Sequence, residues 1–146
     1  DEHKTLEEAR RVLKKGGKIG VSVLGKRENC TYFTLWQDVV KKYSKPSEDK
    51  SPDRTPFYLG HREKLISLFE SHQFKVEYCW KENVVFDFID EKDIEYFVNK
   101  NTDSLSSFDE ETRKIVMQEI KDNFKKMKEN YTPVMKEVFI IVATKV

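Results

Sequence analysis

Apolar positions recur along this chain with two periods, about 3.6 residues in some stretches and about two in others, the spacings of helix and strand. From Glu2 to Lys15, Leu6, Ala9, Val12 and Leu13 share one helical face, with Glu, Arg and Lys opposite. Gly16-Gly17 is expected to close that helix, and Lys14 and Lys15 suit the negative end of its dipole. Lys18 to Leu24 is apolar on nearly both faces, which predicts a strand covered on both sides. Cys30 to Tyr43 reads as a helix with Phe33, Trp36 and Val40 on one face. Ser44 to Pro56 is polar, contains Pro46, Pro52 and Pro56, and reads as a surface loop.

Phe57-Tyr58-Leu59-Gly60 leads into a helix from His61 to His72 with an apolar stripe of Leu65, Ile66 and Phe69. Phe74 to Phe86 reads as one long strand, or two short ones broken near Lys81-Glu82-Asn83. Asp90 is the expected N-cap of a short helix, Glu91 to Asn99, with Ile94, Phe97 and Val98 inward. Ser107 followed by Glu110 has the spacing of a capping box. It opens a long helix to about Glu129, with Ile115, Val116, Ile120, Phe124 and Met127 inward. Tyr131 to Lys136 reads as a connection, and Val138 to Ala143 as a second buried strand. The order predicts an α/β fold with flanking helices on both faces of a small sheet. No repeat or internal boundary is visible, so residues 1–146 are expected to form a single, partial domain.

Composition narrows the function classes. The 146 residues carry 27 Lys+Arg against 26 Asp+Glu, a net charge of +1. That balance argues against a nucleic-acid partner, which usually needs a basic excess. The basic runs at Arg10, Arg11, Lys14, Lys15 and at Lys121, Lys125, Lys126, Lys128 are interleaved with acids and read as solvated helix faces. No apolar run approaches the roughly 20 residues of a membrane span. Two cysteines, Cys30 and Cys79, make no disulfide framework, and a reducing, cytoplasmic location is expected. The three histidines, at 3, 61 and 72, have no metal-ligand spacing, so no metal is expected.

The stretch Leu6-Glu7-Glu8-Ala9-Arg10-Arg11-Val12-Leu13-Lys14-Lys15-Gly16-Gly17-Lys18 resembles the "L-x-E-x-x-R-V-L-K-P-G-G" segment of class I S-adenosylmethionine-dependent methyltransferases, in particular the small-molecule branch of ubiquinone and menaquinone biosynthesis. Leu65 to Val76 resembles that family's approach to strand six, with Gln73 where the family usually has Gly, and Val138 to Lys145 resembles its final strand. The resemblance implies strands five to seven, the C-terminal part of a Rossmann-like sheet. It implies S-adenosylmethionine as methyl donor. The family's G-x-G-x-G donor loop is absent, and Gly16, Gly17 and Gly20 follow a helix rather than a strand.

The implied role is the acceptor-side wall of a small-molecule methyltransferase, the chain alone being inactive. The alternative is a non-catalytic domain that kept the half-fold and pairs through its open sheet edge. Either reading expects a partner along that edge, the missing N-terminal half or a second copy. Ligands of open α/β sheets sit beyond the carboxyl ends of parallel strands, which singles out Leu24 and Gly25 for acceptor binding. Tyr32, Trp36 and Tyr58 are the aromatic candidates for the same pocket. Tyr32 and Trp36 also fit as core residues, and Tyr58 as part of a hydrophobic staple. His61 is the candidate base, and also fits as a solvated residue of a first helical turn.

Overall fold

A computed structural model describes residues 1–45, 55–88 and 90–146. The elements run α1 (Glu2–Val12), β1 (Lys18–Leu24), α2 (Thr31–Tyr43), α3 (Arg62–Ser71), β2 (Phe74–Phe86), α4 (Glu91–Lys100), α5 (Glu110–Glu129) and β3 (Val134–Lys145), with 3-10 turns at Arg27–Asn29 and Thr102–Leu105. That is the mixed helix and strand order the hydrophobic pattern predicts. Most of the proline-bearing loop lies outside the described residues. Two compact units form, the first from Asp1–Asn29, Pro52–Val84 and Glu137–Val146, the second from Cys30–Ser51 and Val85–Lys136.

The first unit is built around β3. The three strands lie in the order β1-β3-β2, antiparallel, so the tail of the chain is the central strand. β1 pairs with it from Lys18 opposite Thr144 to Leu24 opposite Val138. This register sets Ile19, Val21 and Val23 beside Ala143, Ile141 and Phe139 on one face. Leu6 of α1, Leu65 and Phe69 of α3 and Phe74 of β2 complete the core on that face. Burying such side chains stabilises by about 1.5–3 kcal/mol each.

The other face differs from expectation. Val138, Ile140 and Val142 are only half-buried there, and neither hydrophobic core includes them. On β1, Gly20 and Ser22 are exposed. The strand expected to be covered on both sides is therefore an edge strand covered on one, and the helices of this unit pack one face rather than two. Periodicity missed this because Gly20 and Ser22 interrupt the apolar run without adding charge.

Local closures also differ. α1 ends at Val12, which is 65% exposed rather than inward, and Leu13 is already extended. Gly16, at φ 77°, instead takes the third position of a turn closed by Gly17 N–H donating to Lys14 O. The end of α1 is tied to the tail strand, because the Lys145 ammonium donates to the carbonyls of Arg10 and Leu13, 2.6 Å to each. β2 is the one long strand of the two alternatives, and β3 begins at Val134, inside the expected connection.

In the second unit, α2 and α4 pack against α5 over a core that includes Trp36, Val39, Ile94, Val98, Val116, Ile120 and Phe124. Asp90 and Asp93 form the capping box of α4. α5 is capped by Asp109, whose carboxylate accepts from the Thr112 amide, and not by Ser107. Ile115 points out, 48% exposed. The basic residues of α5 pair with acids across the unit, Lys121 with Glu95 at 3.4 Å and Lys125 with Glu91 at 3.1 Å.

Gln73 links α3 to β2 at φ 60°, in the left-handed region that glycine enters at least cost. Its side chain accepts from Arg10, and its carbonyl accepts from the Val146 amide at 3.2 Å. Gln73→Val, β-branched at that φ, is expected to cost about 1–2 kcal/mol of unfolding free energy, whereas Gln73→Gly should stay within about 1 kcal/mol of the parent. Urea titrations of the two variants test this.

Candidate functional site

The carboxyl end of β1 runs through Gly25 and Lys26 into the Arg27–Asn29 turn, close to the start of α3. The approach is tight. A Cβ on Gly60 would strike the Gly25 carbonyl, and a Cβ on Gly25 would strike the Glu137 side chain. The Gly25 amide donates to the Glu137 carbonyl at 2.8 Å. Beside this packing lies an open cleft of about 390 Å³, with Lys26, His61, Arg62, Trp80, Lys81 and Glu137 among its lining.

Glu137 is the organising group. It sits on β3 in the inward register of Phe139, Ile141 and Ala143, and is 2% exposed. Its Oε1 accepts from the Lys26 amide at 3.0 Å, and its Oε2 accepts from Asn29 Nδ2 at 2.8 Å. The Lys81 ammonium, on β2, lies 3.2 Å from Oε2. Burial pushes this carboxyl's pKa up. The Lys26 amide, Lys81 and Asn29 together outweigh that, so the net displacement is downward. The cleft thus holds a compensated buried anion at its floor, with Lys26, Arg62 and Lys81 along its walls.

The six residues singled out from the sequence do not converge on one pocket. His61, exposed at the N-cap of α3 with no capping bond from its side chain, borders the Glu137 cleft. Gly25 lies behind that cleft, its Cβ position taken up by Glu137. Leu24 and Tyr58 line a separate cleft of about 310 Å³, where the Lys64 ammonium stands 3.1 Å from the Tyr58 ring centre. Tyr32 and Trp36 belong to the second unit and border a cleft of about 380 Å³ with Phe97 and Lys100. There Trp36 is a core residue whose indole donates to Ser104 Oγ at 2.9 Å. Tyr32 stacks on Phe86 at 4.0 Å between ring centres, and burial pushes its phenol pKa up.

Cys30 is fully buried, and burial pushes the Cys79 thiol up despite the nearby Arg62, so neither has the setting of a reactive thiolate. No cluster of three or more His, Cys, Asp or Glu able to hold a metal occurs among the described residues. Among them, too, no helix is long and apolar enough to cross a membrane. Glu137 escaped the sequence reading. Its signal was a single carboxylate at the head of an apolar run, in phase with the inward side chains.

Searches for related proteins add no name to this geometry, since no family model and no curated protein matches the chain.

A depressed pKa in the folded state means the fold holds the ionised form of Glu137. Its contribution is complete above the ordinary glutamate pKa and is lost as pH falls through the folded value. Glu137→Gln should lower unfolding free energy by about 1–3 kcal/mol at neutral pH. The gap to the parent should narrow in acid, and urea titrations at neutral and acidic pH measure both.

Proposed function

We propose that this chain is the carboxyl-terminal part of a small-molecule, S-adenosylmethionine-dependent methyltransferase sheet, in which it supplies the acceptor-side wall. The observation that carries the reading is an unfinished sheet. Among the described residues the outer edge of β1 has no neighbouring strand, and the half-buried Val138, Ile140 and Val142 belong to neither hydrophobic core. Bare edges and apolar faces are costly in a finished domain. Two local features add support. Gln73 adopts a left-handed conformation where the resembling family has Gly. The Glu137 cleft opens at the carboxyl end of β1, where α/β sheets bind ligands.

The residues present do not fit the donor itself. No strand-to-helix glycine loop exists in the sequence. The space over Gly25 is filled by the Glu137 side chain and that over Gly60 by the Gly25 backbone, which leaves no cradle for a nucleoside. The proposed contribution of this chain is therefore confined to the acceptor, which it would hold and orient. His61, which borders the cleft, is the proposed base for an acceptor proton.

Titration calorimetry of S-adenosylmethionine into the 146-residue chain is expected to show no binding. A longer product of the same gene, carrying a glycine-rich strand-turn-helix upstream, is expected to bind it. Tight donor binding by the 146 residues alone would overturn the proposal. So would a gene product with no such upstream element, which would leave a domain that pairs through its open edge.

A further inference from the structure

The start of α1 and the end of α3 meet through two histidines that lie 69 residues apart in the chain. His3 Nδ1 and His72 Nε2 are 3.2 Å apart, and their ring centres are 5.0 Å apart. Without a metal, the proton bookkeeping is settled by Leu68, whose carbonyl can only accept. His72 Nδ1, 2.8 Å from that oxygen, carries a hydrogen and donates it. His72 Nε2 is then a bare lone pair, and His3 Nδ1 donates to it.

The same geometry suits a metal ion. A cation about 2.05 Å from both nitrogens spans 3.2 Å at an N–metal–N angle of about 103°. With ring nitrogens about 1.15 Å from their ring centres, that angle sets the centres about 5.0 Å apart. That is the separation observed. A straight N–H···N bond of equal length would hold the centres about 5.5 Å apart. Both distances thus fit one ion shared by the two rings.

The outer contact of His72 is also that of a ligating histidine, whose second ring nitrogen usually donates to a carbonyl or a carboxylate. His72 has the Leu68 carbonyl at 2.8 Å. The Glu2 carboxylate lies 3.9 Å from His3 Nε2, beyond hydrogen-bond reach. The His3 side chain is 57% exposed, which leaves room for water to fill the remaining positions. No third protein ligand is required for a labile, water-completed site.

We propose that His3 and His72 together bind one divalent transition-metal ion of the zinc, nickel or copper type, clamping the start of α1 to the end of α3. Imidazole favours these metals over magnesium or calcium. The proposal is independent of the methyltransferase reading.

Titration of Zn²⁺ into the untagged chain tests it. One saturable site per chain is expected, with a rise in melting temperature as zinc is added. His3→Ala and His72→Ala should each weaken uptake by at least about tenfold, while the chain with its amino group acetylated should bind as before. A readout without substitution is the imidazole ¹⁵N spectrum, in which zinc should shift His3 Nδ1 and His72 Nε2 together. Absence of saturable uptake at millimolar zinc would overturn the proposal. Uptake that survives His72→Ala, or is lost on acetylation, would overturn it too.

Discussion

The first unit depends on one central strand, buried at alternate positions and exposed at none. β3 has no fully exposed residue between Val134 and Lys145, and its inward positions run Glu137, Phe139, Ile141, Ala143 without a break in phase. β1 takes its register from this strand, and β2 lies against its other side. α1 is held to it by Lys145, and the exit of β1 by the Glu137 carbonyl and carboxylate. A strand from the tail that serves as the middle of the sheet makes most pairings long-range. Such topologies close slowly and cooperatively.

Placing a carboxylate in that inward register has a cost that shapes the cleft. A buried charge is tolerated only when its hydrogen-bonding capacity is met and a counter-charge is near. Glu137 meets both conditions by recruiting Lys26 and Asn29 from the turn after β1 and Lys81 from β2. The same recruitment pulls the β1 exit inward until only glycine fits at positions 25 and 60. The scarcity of glycine in this chain, five in all, makes that pairing informative. Close packing, rather than ligand access, accounts for both residues, and the open volume lies to one side of them.

Much of the fold was legible because it rests on local signals. The element order follows from period, and Asp90 from its position ahead of an apolar stripe. Errors fell where two local solutions were nearly equal in energy. Asp109 outcompetes Ser107 as a cap although both stand ahead of the same helix, and Leu13 ends α1 before the glycines are reached. The strand at Lys18–Leu24 was misread because Gly20 and Ser22 are neutral in pattern, so nothing in the run tells an edge strand from a buried one. The candidate sites were less legible still. Leu24 with Tyr58, Tyr32 with Trp36, and His61 beside Glu137 are each brought together by tertiary contact. The His3–His72 pair, whose members stand 69 positions apart, has no local signature at all.

The open edge of β1 bears on which partner suits it. Its centre, Ile19 to Val23, is uncharged, yet Lys14, Lys15 and Lys18 precede it and Lys26 and Arg27 follow. Cations flanking an exposed edge are a recurring device against self-association. In an antiparallel pairing of two copies centred on Val21, Lys15 of one copy faces Arg27 of the other and Lys14 faces Glu28, twice over. A parallel pairing sets each lysine against its own duplicate. The parallel arrangement opposes like charges throughout, whereas in the antiparallel one the Lys14–Glu28 attraction offsets the Lys15–Arg27 repulsion. A strand with an uncharged centre and neutral or acidic flanks meets no such penalty. The electrostatics of the edge thus weigh against a parallel second copy and toward a neighbour whose flanks are neutral or acidic, or whose register is antiparallel.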